Sequence, residues 1–271
     1  MVAPTPYDRG DGSQAMRNTY RDQAAKYYDL WAEFPDIDFY RRQITYAETE
    51  VLELGCGTGR VLLPLAERCA FIHGVDHSDA MLEICRDKLR RRWVPIDRAQ
   101  IQRGDITNLD LDRTFDLITA PFRVMQNLET DAQIDGLLET IRRHLAPDGR
   151  AILNTFRPRG DREYLHAYWS SHDGTQYTEK STVEGVVRMT EDCRQFQDDP
   201  LMVFALLIYE LMEQDRVVDR AELPISMRVW YPDELTDRIA AAGFRITDRW
   251  GGYDGETWGE GNELVVSFTH G

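Results

Sequence analysis

Val51-Leu-Glu-Leu-Gly-Cys-Gly-Thr-Gly-Arg60 carries an apolar run, broken by one acid, straight into three glycines at alternate positions. Val51 to Leu54 read as a buried strand, and Val61-Leu62-Leu63 opens a helix with Pro64 still inside its first turn. A strand that turns sharply on Gly55, Gly57 and Gly59 into a helix offers bare backbone to a ligand. The spacing is G-x-G-x-G, not the G-x-G-x-x-G of dinucleotide sites, which speaks against an NAD dehydrogenase. An ordinary tight turn between a strand and a helix would use the same glycines, so the flanking segments decide.

Phe71-Ile-His-Gly-Val-Asp76 is a second short strand ending in an acid, seventeen residues past Gly59. In a doubly wound sheet this places a carboxylate at the end of the neighbouring strand, where it can accept from both ribose hydroxyls. Ser78 can cap a helix that begins at Asp79. Ile101 to Asp105 is a third strand ending in an acid, with Ile106 next to it. Phe115 to Ala120 is a buried strand leading into Pro121-Phe-Arg-Val-Met-Gln126. A helix ending at His144 turns through Leu-Ala-Pro-Asp-Gly149 into the strand Arg150–Phe156.

Five strand-then-helix units with acids closing the second and third strands resemble the class I, Rossmann-like S-adenosylmethionine (AdoMet)-dependent methyltransferases, over roughly residues 20–160 and 230–270. The resemblance implies an α/β fold with a doubly wound seven-stranded sheet, order 3-2-1-4-5-7-6, whose last hairpin is antiparallel. It implies S-adenosyl-L-methionine as cofactor and S-adenosyl-L-homocysteine as product. Gly55, Gly57 and Gly59 would line the methionine part. Glu53 would orient the loop or the cofactor's amino group, Asp76 would hold the ribose, and Asp105 with Ile106 the adenine. His77 would shape the adenine pocket, and Ala120 with Pro121 would begin the segment facing cofactor and substrate. Tyr28, in Tyr28-Asp29-Leu30, would touch the amino-acid end of AdoMet. Arg60 either reaches the cofactor carboxylate or is solvated at the helix start. Phe122, Arg123 and Gln126 would face the substrate, and a charge at Arg123 needs a partner, either a substrate anion or an acid of the cap. Enzymes of this kind that act on bases or glutamine often show D/N-P-P-Y where this chain has Ala120-Pro-Phe-Arg123, which points to a small-molecule subfamily.

Charge agrees. Lys and Arg total 32 against 47 acids, a net charge of −15, so a phosphate backbone or an anionic membrane surface would be repelled. The imbalance is concentrated late in the chain: residues 1–160 hold 25 acids and 22 bases, the remainder 22 and 10. Either the acidic part forms a substrate mouth that attracts an amine or another cation, or it is a solvated surface. No run approaches the ~20 apolar residues that span a bilayer, and the N-terminus lacks the layout of a signal peptide. Cys56, Cys69, Cys85 and Cys193 have neither C-x-x-C spacing nor a nearby histidine cluster, so no metal and no disulfide framework is expected. These features predict a reduced, cytoplasmic protein.

Residues 1–16 read as a mobile tail, and Met16 is a second candidate translation start. Tyr20, Ala24, Tyr27, Tyr28 and Trp31 fall at helical intervals, and Phe39 to Ile44 reads as a second helix. The expected division is 17–160 with 230–271 as the AdoMet-binding domain, and 161–229 as an inserted antiparallel substrate cap. Three cap strands are predicted: Val186–Cys193, Leu201–Met212, and Val217–Trp230 broken at Pro224. Tyr231-Pro232 starts a helix ending near Gly243, and Arg245–Trp250 with Glu263–Thr269 would be the closing hairpin. No general base stands out. His144 at a helix end reads as structural, and His166 and His172 lie near the cap entrance. The catalytic residue stays unassigned. The predicted activity is methyl transfer to an amine nitrogen of a small molecule, or second to a hydroxyl oxygen. The alternative is a non-catalytic AdoMet or S-adenosylhomocysteine binder, a regulator or an inactive partner subunit.

Overall fold

The computed structural model describes residues 22–171 and 173–271. The tail expected at 1–16, Met16 and His172 lie outside them. The chain forms two compact units, one of Met1–Glu33 with Arg159–Met227, the other of Phe34–Pro158 with Arg228–Gly271.

The larger unit is built on a seven-stranded sheet. Its strands are β1 (Glu50–Leu54), β2 (Phe71–Asp76), β3 (Ala99–Arg103), β4 (Phe115–Ala120), β5 (Leu145–Phe156), β10 (Phe244–Trp250) and β11 (Glu263–His270). Their spatial order is β3-β2-β1-β4-β5-β11-β10. Strands β1 to β5 pair in parallel, while β11 runs antiparallel to both β5 and β10. This is the expected seven-stranded order with its antiparallel closing hairpin.

Alternation along each strand separates two cores. Leu52, Leu54, Ile118, Leu153 and Val266 face one side with α5 (Asp131–His144) and α7 (Pro232–Ala241). Val51, Ile72, Leu117, Ile152 and Val265 face the other with α2 (Ile37–Gln43), α3 (Leu62–Ala66) and α4 (Asp79–Arg91). Strands apolar on both faces are what a sheet covered on both sides requires. Helix starts are built locally: Ser78 Oγ accepts from Met81 N at 3.2 Å, and Thr130 with Gln133 forms a capping box on α5. The third strand ends at Arg103, two residues earlier than expected, and Asp105 and Ile106 stand in the turn that follows.

The smaller unit contains α1 (22–28), a single 3-10 turn at Asp29–Trp31, α6 (Arg162–Ser170) and a four-stranded sheet. The sheet order is β6-β7-β8-β9, from Asp173–Ser181, Val186–Asp198, Leu201–Glu213 and Arg216–Arg228, whose last residue already belongs to the larger unit. Four strands stand where three were expected, and β9 runs unbroken through Pro224, which an edge strand tolerates because its outward N–H needs no partner. The β8–β9 turn is tight, with Gln214 and Asp215 both left-handed at φ 47° and 62°.

The segment to Glu33 groups with this sheet, not with the nucleotide-type sheet where the sequence placed it. The reason is side-chain packing. Ala24 and Tyr27 bury against Val187, Tyr209, Leu211, Ala221 and Leu223, Tyr27 stacks on Tyr209 at 5.8 Å, and its hydroxyl donates to Asp219. Trp31 Nε1 donates to Thr178 Oγ1 at 3.0 Å.

Gly136 lies in the middle of α5, where glycine costs a helix about 1 kcal/mol relative to alanine. A Cβ there would meet the Thr107 carbonyl oxygen at 2.4 Å, so the glycine allows α5 to close on the turn that carries Asp105 and Ile106. Gly136→Ala should therefore destabilise the protein by about 1–3 kcal/mol despite its better helix propensity, read as a lower urea midpoint. A gain in stability would show that this approach is not constrained.

Candidate functional site

The carboxyl ends of the parallel strands lie along one edge of the larger unit's sheet. The order reverses between β1 and β4, which is where doubly wound sheets take ligands. The glycine turn sits at this point. Gly55 N and Cys56 N both donate to Val75 O, at 2.8 and 3.0 Å, and Gly59 N donates to Cys56 O at 2.9 Å. All three glycines have positive φ: 72°, 52° and 81°.

Their surroundings differ. A Cβ on Gly55 would meet Val124 Cγ2 at 2.5 Å, and one on Gly59 would meet Cys85 Sγ at 2.6 Å. A Cβ on Gly57 would meet nothing nearer than Asp76 Oδ2 at 4.0 Å. Gly55 and Gly59 are thus closed by the protein's own packing, and Gly57 is open. Asp76 holds the open glycine: Oδ2 accepts from Gly57 N at 2.8 Å, and Oδ1 accepts from Ser78 N at 2.9 Å. His77 Nδ1 lies 3.6 Å from Asp76 Oδ1.

A buried charged cluster lies near the turn. Asp36, with no exposed surface, takes Arg60 in a bidentate pair at 2.5 and 2.8 Å. Arg60 is therefore neither solvated nor an open clamp for a carboxylate, and its guanidinium also lies over the Phe122 ring at 5.0 Å. Glu53 is 1% exposed, and its Oε2 has no hydrogen-bond partner. Burial, and then the nearby Asp36 and Asp76, push its carboxyl up to about 8, against the pull of Arg60 and the Leu62 N–H. Tyr40 and Tyr253, both buried, have hydroxyls without partners among the described residues, and burial raises both phenols well above the usual range.

Arg123 has its partner within the same unit. It pairs with Glu263 of β11, which is neither of the two partners expected, a substrate anion or an acid of the cap. Glu263 also accepts from Asn154 Nδ2 at 2.8 Å, and Asn154 Oδ1 accepts the Arg123 N–H at 3.1 Å. This bracing holds Phe122 and Arg123 consecutively left-handed, at φ 56° and 67°, a conformation that costs non-glycine residues roughly 1–3 kcal/mol each and clusters at functional sites.

The remaining candidates separate. Asp105 is exposed and its Oδ1 is taken up by Thr107 N and Oγ1, at 2.8 and 2.7 Å. Ile106 is half-buried against the α5-side core, and Ala120 is fully buried. Gln126 is committed to backbone, donating to Arg228 O at 3.0 Å and accepting from Phe156 N at 2.8 Å. It is a structural strut, not the substrate contact expected. Tyr28 belongs to the smaller unit, beside Tyr209. His144 is structural as expected, accepting from Leu111 N at 3.0 Å and bonding Thr140 O through Nδ1 at 2.7 Å. His166 is exposed, with its ring edge-on to Phe196. Among the described residues no cluster could hold a metal ion. Asp36, Asn154, Glu263, Tyr40 and Tyr253 were missed from sequence. Pro35-Asp36 resembles only a helix start, and the others act across large sequence separations.

Residues 51–149 match the methyltransferase domain family. The chain is 24% identical, over 87% of its length and 89% of the relative's, to a dTDP-3-amino-3,6-dideoxy-alpha-D-glucopyranose N,N-dimethyltransferase of Streptomyces fradiae. It is 28% identical, over 80% and 81%, to a cypemycin N-terminal methyltransferase of Streptomyces sp. Among solved structures, the CcbJ methyltransferase from Streptomyces caelestis aligns with TM-score 0.75 at 22% identity, covering 94% of this chain and 98% of that one. The domain is thus a methyltransferase of the class I, Rossmann-like type. The family match is to residues 51–149, and the fold around them is the class I, Rossmann-like one.

The Asp36–Arg60 pair should dominate local stability. Asp36→Ala removes the bidentate partner of a largely desolvated guanidinium and should cost about 3–5 kcal/mol, measured by chemical denaturation. A loss below 1 kcal/mol would mean that Arg60 escapes to water.

Proposed function

We propose that S-adenosylmethionine lies across the glycine turn and the adjacent strand ends, and that the methyl group passes to an amine nitrogen of a small molecule, with a hydroxyl oxygen as second choice. The open backbone at Gly57, beside the buried carboxylate of Asp76, carries this reading. Three observations fit the group: a glycine with room beside it, an acid at the end of β2, and a buried Glu53 oxygen without a partner. Each Asp76 oxygen accepts one backbone N–H and keeps a second lone pair for a ribose hydroxyl. Gly55, Gly57 and Gly59 give close backbone approach, Asp105 and Ile106 flank the adenine, and Tyr28 stays a proposed contact at the amino-acid end.

When bound, the cofactor supplies a methyl carbon already activated by its sulfonium. The chain's tasks are to hold the acceptor in line and keep water out. Phe122, fixed by the bracing of Arg123, is the proposed wall of the acceptor site. Arg123 is neutralised by Glu263, so an acidic acceptor gains no open cation there. An amine with a free lone pair needs no general base. That suits a sheet edge whose one histidine, among the described residues, is His77. The relatives named as N,N-dimethyl and N-terminal methyltransferases support nitrogen as the acceptor. The antiparallel sheet unit is proposed as the substrate cap, in a cytoplasmic enzyme.

Asp76→Asn keeps the shape but removes the charge. AdoMet affinity should fall about 10- to 150-fold, the worth of a charge-assisted hydrogen bond of roughly 1.5–3 kcal/mol. The melting temperature should fall as well, because the amide nitrogen cannot accept one of the two backbone N–H groups that Asp76 holds. Unchanged affinity in calorimetry would displace the ribose from Asp76. For the acceptor, paired small molecules differing only in an amine or a hydroxyl at one position should be separated by radiolabelled methyl incorporation, with the amine favoured. Preference for the hydroxyl across such pairs would reverse the assignment.

A further inference from the structure

Of the buried carboxyl groups near the glycine turn, Asp76 is held by two backbone N–H groups, which leaves three, Asp36, Glu53 and Glu263, against two guanidiniums, Arg60 and Arg123. Asp36 occupies Arg60 bidentately, and Glu263 occupies Arg123. Glu53 is the third carboxyl, almost without exposed surface and with one oxygen unpartnered. A full negative charge there has no dedicated counter-charge, and burying an unpaired charge is far costlier than keeping a proton on it. Its neighbours on each packed element are few. They are Asp36 and Tyr40 from the α2 side, Cys56 and Arg60 from the glycine turn, and the Leu62 N–H of α3. Asp76 of β2, Cys69 just before that strand and Cys85 of α4 complete the set. Arg60 alone carries a positive charge among them.

We propose that Glu53 is an uncharged carboxylic acid in the ligand-free protein and that it releases its proton to solvent when AdoMet, a net cation, docks at the glycine turn. The inference rests on the AdoMet reading above and adds that cofactor binding and proton release are one linked event. The O–H bond of Glu53 breaks, the proton leaves to water, and the carboxylate left behind balances the incoming positive charge. The direction follows from linkage. Burial holds the free carboxyl up at about 8, and the cation lowers it in the complex. Between those two values binding strengthens as pH rises, and above the upper one it levels off.

Calorimetric titration of the whole chain with AdoMet at pH 6.5, in phosphate and in imidazole, reads proton release from the difference in apparent enthalpy. At that pH the ligand's own α-amino group, ordinarily near pH 7.7–8.0, stays mostly charged. The wild-type chain should release about one proton per AdoMet, and Kd should fall roughly tenfold per pH unit below about 7.5. Glu53→Gln should bind without that release and with a flat pH dependence. Binding without proton release by the wild type, or equal release by Glu53→Gln, overturns the inference and leaves the cofactor site standing. No AdoMet binding at all by the wild type overturns both. Should Glu53→Gln fail to fold, the wild-type release must still decline from about one at pH 6.5 to well under half at pH 8.5. A constant release across that range overturns the inference.

Discussion

Desolvated charge near the glycine turn organises the larger unit. The Asp36–Arg60 and Glu263–Arg123 pairs draw together segments far apart in sequence. The carboxylate of each pair is buried, and each would be destabilising without its arginine. The aromatic shell follows from the same need. Phe34 lies within 5.9 Å of the Arg60 guanidinium and 5.4 Å of Arg123, and Phe122 covers Arg60. Flat rings tolerate a guanidinium where aliphatic side chains would only dehydrate it. The turn after β4 is thereby fixed from two sides, by stacking on Arg60 and by the Asn154–Glu263 brace on Arg123. That is how two consecutive non-glycine residues hold a left-handed backbone.

How much of this was legible in sequence depended on the range of the interaction. Val51 to Leu54, Phe71 to Asp76 and Phe115 to Ala120 announce their strands because both faces are buried, and the acid ending β2 stands where the strand stops. Ser78 was a local signal, acting on a backbone N–H three residues ahead. Asp36, Asn154 and Glu263 were not legible. Their partners lie 24, 31 and 140 residues away, and an isolated Asp or Glu in a polar stretch reads as solvated surface. Gln126 failed in the opposite sense: its position after β4 suggested a ligand contact, whereas both ends of its amide are spent on backbone.

The smaller unit was read less completely for a related reason. Leu201 to Glu213 is strongly apolar and was recognised as a strand. Asp173 to Ser181, whose sequence is Asp-Gly-Thr-Gln-Tyr-Thr-Glu-Lys-Ser, has no apolar alternation, because an edge strand exposed to water needs none. Helix α6 hides its short apolar pair, Leu165 and Trp169, among exposed tyrosines. The N-terminal helix was recognised by period but assigned to the wrong sheet. Its stripe of Ala24 and Tyr27 specifies an apolar partner without saying which one.

The three glycines differ from those of a turn built only for packing. If the turn existed only for packing, all three positions would be filled from within, as Gly55 is by Val124 and Gly59 by Cys85 and Leu63. Gly57 is filled by nothing, yet it keeps a left-handed φ and is tied to Asp76. Its neighbours fix its conformation independently of any ligand. A loop held this way needs little ordering when a ligand arrives, so more of the contact energy appears as affinity. The same rigidity denies the turn any easy way to move toward an incoming charge. Adjustment must then come from a group that can change its charge in place, and Glu53, buried one residue before the end of β1, is positioned to do that.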